Sequence, residues 1–252
     1  MSTENKLTLL GHIYELRKRL IRSIIAVAVT TIISFIFHEH IFNILIAPAP
    51  ASIQLQAIEM TEMLSMTMRV AFISGIVLAI PYLSYELIMF VSPALTTKEK
   101  RYVYLVLPWI ALMFAAGVVF GYYILIPRIT GFLLTWGSDL AAIQPRIGSY
   151  INIVTRMLLA IGLVFEMPVL TTFLSRIGIL KPKWLSDRRK GAIICAFILA
   201  AMVTPTIDPI NQSLFAVPLI ILYEMSIWLA KLVQPRESRV DTSLPSTVSQ
   251  DQ

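Results

Sequence analysis

Glu166 sits inside a run, residues 151–174, that is otherwise almost wholly apolar. A bilayer's hydrocarbon core, about 30 Å thick, accommodates about 20 apolar residues of helix. A carboxylate at that depth is costly unless it is paired, neutralised or facing a wet cavity. Glu166 is therefore either a protonated acid bonded to a neighbouring helix or a working acid on a sheltered, concave surface. Two further carboxylates, Glu15 and Glu99, lie just outside apolar runs. Acids near the headgroup level suit guanidinium ligands, whose planar fork meets a carboxylate through two parallel bonds. Each also has a simpler reading. Glu15 is placed to pair with Arg19 at i,i+4, and Glu99 sits in a KEKR charge run that water can solvate. Glu86 and Glu224 fall toward span ends, where a helix partner is the expected role. Arg156 precedes Glu166 by ten residues, about 15 Å along a helix, so each needs a partner elsewhere.

The elements that position these groups follow from composition. The 252 residues are 57% hydrophobic and 14% charged, with a mean hydropathy of +0.76. Soluble domains run near 45–50% apolar and about 25% charged, so the chain reads as an integral membrane protein. Six transmembrane helices are expected at about 21–38, 68–90, 102–126, 150–174, 191–204 and 213–231. An all-α bundle results, in one domain over 1–232, with a polar tail at 233–252 that reads as disordered. Leu9, Ile13, Leu16 and Leu20 recur at helical spacing, which predicts a short amphipathic helix over 7–20 lying at the interface. The apolar run at 23–37 is longer than a usual signal-peptide core and reads as a retained anchor. Four spans carry a proline inside or at an edge, which bends helices. The fifth and sixth spans are short. Together these features favour a curved, cupped bundle. Gly117 and Gly121 form a GxxxG pair that permits close helix contact. Met60, Met63 and Met66 form a stripe read as core, and Cys195 is read as a buried thiol.

Charge sets the orientation. Seventeen of the 21 Lys and Arg lie in 1–22, 91–101, 176–190 and 231–252, all on one side of the spans. Positive residues mark the cytoplasmic face, so both termini are expected inside. The excess of 21 basic over 15 acidic residues is thus a membrane signature, and no nucleic acid partner is expected.

No GxxxxGK[ST], HExxH or GxSxG string occurs, so nucleotide-driven, zinc-protease and serine-hydrolase readings lack their motifs. Three His and one Cys are too scattered for a metal site, and no cofactor is expected. A secondary transporter with Glu166 as proton relay is the alternative, but no inverted repeat relates the two halves. An intramembrane enzyme lacks a nucleophile–base pair.

Four separated strings carry a resemblance: HIYELRKRL at 12–20, FVSPAL with KEKR over 90–101, FEMPV at 165–169, and TPTIDP followed by NQ over 204–212. Their order resembles TatC, the multi-span receptor family of the twin-arginine protein translocase, across residues 7–232. The resemblance implies a non-enzymatic receptor in the plasma (inner) membrane of a prokaryote, binding Arg-Arg signal peptides of folded precursors. It implies assembly with single-span TatA/TatB-type subunits in a multimeric complex, and transport driven by the proton-motive force. By the same resemblance Glu15 and Glu99 receive the two arginines, while Arg17, Phe90 and Pro93 shape that site. Glu166 matches the family's intramembrane acid, Asp208 an outer-loop acid and Pro48 a proline after span one. In TPTIDP the proline and aspartate stand further apart than in some relatives, and Arg156 matches no family role.

Overall fold

A computed structural model describes residues 3–50, 55–91, 97–136, 144–204 and 208–233, with the side chains of 3–10, 12, 91, 97–103 and 134 outside the description. The described residues are helical apart from turns and one isolated parallel bridge, Gln56 to Arg146. The helices are α1 (Thr3–Ile36), α2 (His38–Ile46), α3 (Glu62–Val91), α4 (Thr97–Phe120), α5 (Ile126–Thr135), α6 (Ile147–Arg176), α7 (Pro182–Asp187), α8 (Arg189–Val203) and α9 (Pro209–Val233), with a π-helical turn, Gly121–Leu125, joining α4 to α5. Among the described residues five helical runs are long and apolar enough to cross a membrane: Ile13–Ile36, Glu62–Phe90, Tyr104–Leu133, Ile147–Arg176 and Pro209–Val233. α8 has 15 residues, about 22 Å at 1.5 Å per residue, and is shorter than these runs.

Several expected boundaries move. The interfacial helix expected over 7–20 is not a separate element, because α1 runs unbroken through it into the first span. No proline interrupts residues 1–47, so nothing stops the helix from propagating. The third span does not end at Pro127. The π-helical turn carries the chain past Gly121 into α5 without a break, and Pro127 falls in the first turn that follows it. The sixth helix is not short: α9 has 25 residues and begins at Pro209. The Asp208 carboxylate accepts the Asn211 backbone N–H at 2.7 Å and so caps it. Of the methionine stripe only Met66 is core, since Met63 is exposed and Met60 fully so. Cys195 is exposed as well, because an apolar run on a membrane helix clothes its outer face as readily as its buried one. The tail beyond Val233 lies outside the described residues.

Among the described residues three apolar clusters hold the helices together. One packs Phe42 and Leu45 of α2 against Val70 of α3 and Tyr150, Ile151 and Val154 of α6. A second joins Met157 and Ile161 of α6 to Ala196 and Ala200 of α8 and Phe215 of α9. The third, Ile88, Ile110 and Phe173, links α3, α4 and α6 near the end that carries the basic segments, hereafter the basic end. α6 contributes to all three and is the central post. The GxxxG expectation holds: a Cβ at Gly117 or Gly121 would press on Phe165 or Ile161 of α6 at 2.8 and 2.7 Å. α1 packs chiefly on α3. There the Thr30 hydroxyl donates to the Gly75 carbonyl at 2.8 Å, and a Cβ on Gly75 would lie 2.6 Å from the Thr31 Cα.

Candidate functional site

At the basic end, α1 presents Glu15, Arg19 and Arg22 at i, i+4 and i+7, on one helical face. α3 faces it with Tyr82 and Glu86, also four apart. Arg19 joins the helices. Its Nε and Nη2 both donate to Glu15 Oε1, at 3.1 and 2.6 Å, and its Nη1 donates to Glu86 Oε2 at 2.9 Å. Glu86 is buried, and its Oε1 accepts the Tyr82 hydroxyl at 2.9 Å with Arg22 at 3.8 Å. The i,i+4 pairing of Glu15 with Arg19 is therefore present, and Glu86 has the helix partner expected of it. Glu224 has one too, Arg189 at 2.8 Å.

The Glu15 pairing is lopsided. Both Arg19 donors converge on Oε1, and among the described residues no donor reaches Oε2. The Glu15 side chain keeps 35% of its exposure and lines a recess of about 270 Å³ with Tyr14, Lys18, Arg19 and Arg22. Arg17 is exposed on the same helix, and Phe90 is half-buried near the end of α3. Glu99 belongs to α4, but its side chain lies outside the described residues, as does Pro93 entirely. Among the described residues the structure brings Glu15 together with Arg19 and Glu86.

Two-thirds of the way along α6, Glu166 is buried and bonded to another helix, as one of its two readings required. The Ser84 hydroxyl of α3 donates to its Oε2 at 2.8 Å. Its Oε1 is buried without a partner among the described residues. An acid with one oxygen tied and the other unsatisfied in an apolar setting is costly, and a donor from outside the chain would relieve it. The near-continuous exposed stripe on the same helix, Ser149, Arg156, Leu163 and Met167, puts Arg156 on a surface, apart from Glu166.

The opposite end holds a cluster with no counterpart in the expectations. The buried Glu62 carboxylate accepts the Arg146 Nε at 2.7 Å and the backbone N–H groups of Gly148, Ile58 and Glu59 at 3.0, 2.8 and 3.3 Å. Arg146 also meets Glu59 at 2.8 Å. Hydrogen bonds to Glu62 and then Glu59 raise the Arg146 guanidinium above its ordinary pKa. Around this clamp the Gln56 N–H donates to the Pro145 carbonyl at 3.2 Å, and the Gln56 carbonyl accepts the Ile147 N–H at 3.0 Å. The signal was present in the charges. Residues 39–66 hold three acids and no Lys or Arg, while Arg146 lies in the next loop on that side. Pro48 follows α2 in a turn, half-buried, and Asp208 serves as the α9 cap, bonding the Asn211 side chain as well at 3.0 Å. Among the described residues no group of His, Cys, Asp and Glu could hold a metal ion.

Comparison with known proteins adds a family-level finding. The family described as Sec-independent protein translocase protein (TatC) matches residues 11–218. The chain is 37% identical to the Sec-independent protein translocase protein TatC of Carboxydothermus hydrogenoformans, covering 93% of this chain and 97% of the relative. It is 38% identical to TatCy of Bacillus subtilis, covering 90% of each. A crystal structure of the twin arginine translocase receptor TatC superimposes with a TM-score of 0.80 at 35% identity, over 88% of this chain and 99% of that one.

Proposed function

From the premise that this chain belongs to the TatC family of Sec-independent protein translocase components, we propose that it is the signal-peptide receptor of a twin-arginine export system. It is a multi-pass membrane protein. In this reading the basic end faces the cytoplasm, both termini lie there, and α8 completes a sixth crossing. The family is a transport family, and the role proposed is binding and assembly rather than catalysis.

One observation carries the reading: among the described residues the half-exposed Glu15 carboxylate is held through Oε1, by an arginine that has a second carboxylate behind it. An incoming guanidinium can bond Oε2 while Arg19 keeps Oε1, or displace Arg19, which stays anchored on Glu86. Either way no charge is stranded, so the exchange avoids the penalty of an unpaired buried ion. Glu99, Arg17, Phe90 and Pro93 supply the rest of the peptide site by family resemblance. Glu166, with its unsatisfied oxygen, is the contact for a polar side chain on a single-span partner subunit, and Pro48 and Asp208 serve the outer face.

Photocrosslinking of an Arg-Arg signal peptide to the full chain in membranes tests this. Glu15→Ala should lower the yield about tenfold, the size of one lost charged hydrogen bond pair, and a Lys-Lys peptide should crosslink poorly to the unaltered protein. Undiminished crosslinking in Glu15→Ala would remove the assignment.

A further inference from the structure

A groove of about 400 Å³ lies between α4, α6 and α9 at the basic end, and Glu15, Glu86 and Glu166 do not line it. Leu105, Trp109, Pro168, Val169 and Leu229 line it, and Arg176 stands at its end. Pro108 and Pro168 interrupt the hydrogen-bond ladders of the two helices that flank it, which accounts for a gap where antiparallel helices otherwise close.

The depth of the groove identifies its occupant. Arg176 is the last residue of α6, ten residues beyond Glu166, about 15 Å along the helix. Arg176 closes the candidate span Ile147–Arg176 at its basic end, where hydrocarbon gives way to headgroups. The groove then runs from the headgroup level inward past Trp109, an exposed residue of the type that settles near that boundary. Arg176 is exposed, and its Nη1 donates to the Val233 carbonyl at 3.2 Å, which holds the guanidinium at the mouth. An apolar slot inside the slab with a fixed guanidinium at its rim complements a molecule with an apolar tail and an anionic head. Arginine matches phosphate oxygens through its fork. The basic residues Lys181 and Lys183 follow closely and favour a net negative headgroup.

We propose that this groove is a phospholipid site, holding one acyl chain of a lipid in the leaflet at the basic end with its phosphate on Arg176. Native mass spectrometry of the purified full chain, titrated with dioleoyl phosphatidylglycerol or with the phosphatidylcholine of the same chains, tests it. Arg176→Gln should weaken phosphatidylglycerol binding about tenfold, the scale of one charged contact, and Arg176→Lys should recover part of it. Val169→Trp, which fills the slot, should remove binding of both lipids, and millimolar inorganic phosphate should not compete. Unchanged lipid binding in Arg176→Gln overturns the proposal even if Val169→Trp does not fold. A photoreactive residue at Trp109 that crosslinks to protein rather than lipid in membranes also overturns it, and assigns the groove to a partner helix. Signal-peptide crosslinking should be unaffected by Arg176→Gln, so this proposal and the receptor reading fail separately.

Discussion

Arg19 is the residue on which the basic end turns, because two helices and two acids meet on one guanidinium. Removing Glu86 leaves that largely buried cation with a single, half-exposed partner. Breaking a buried pair on one side costs about 3–5 kcal/mol; partial exposure of Arg19 reduces this, so Glu86→Ala should destabilise the protein by about 2 kcal/mol. Glu86→Gln, which keeps an acceptor, should cost less. Thermal unfolding in detergent measures both, and no loss in Glu86→Ala would mean the pair is ornamental. Residue types alone were enough to find Glu15, because Arg19 follows it at i,i+4. They did not find the Glu86 contact, which depends on α1 and α3 lying side by side across 67 residues of chain. The Glu62–Arg146 clamp escaped for the same reason: each member is unremarkable in its own loop, and only complementary charge hinted at the pair.

Among the elements, α1 is the least embedded, and Gly75 of α3 governs its approach. A side chain there meets the Thr31 backbone, which cannot yield as a flexible side chain would. Overpacking of this kind costs about 1–3 kcal/mol, so Gly75→Leu should lower stability by about that amount and weaken the Glu86–Arg19 contact with it. Gly11→Leu is the control, since nothing lies within 4 Å of a Cβ there. Equal melting temperatures for the two variants would refute the close contact. Helix existence was readable from apolar runs, because burying backbone groups in lipid forces them to be satisfied within the segment. Helix ends were not. Pro127 looked like a terminator and proved to be a first-turn residue, and Asp208 started α9 four residues before its apolar run.

For the whole molecule, charge asymmetry remains the main guide to orientation. Met60 is fully exposed at the end opposite the basic segments. With Cys195 replaced by Ala, a cysteine at Met60 should react with an impermeant maleimide added outside intact cells. Labelling only after the membrane is opened would invert the proposed orientation. The apolar excess made membrane residence plain, yet the same excess hid which faces are buried: Cys195 and Met63 look outward although their neighbours in sequence differ little from core. The attachment of α1 to α3 also has a bearing on how the chain is made. Ribosomes that produce bacterial chains add about 5–20 residues per second, and Glu86 is synthesised 67 residues after Arg19. For several seconds, then, each newborn molecule holds a first helix whose arginine has only Glu15 for company. Whatever escorts the nascent chain must shelter that helix until its mate emerges, and a pause in translation before residue 86 would lengthen the time it stands exposed to proteolysis.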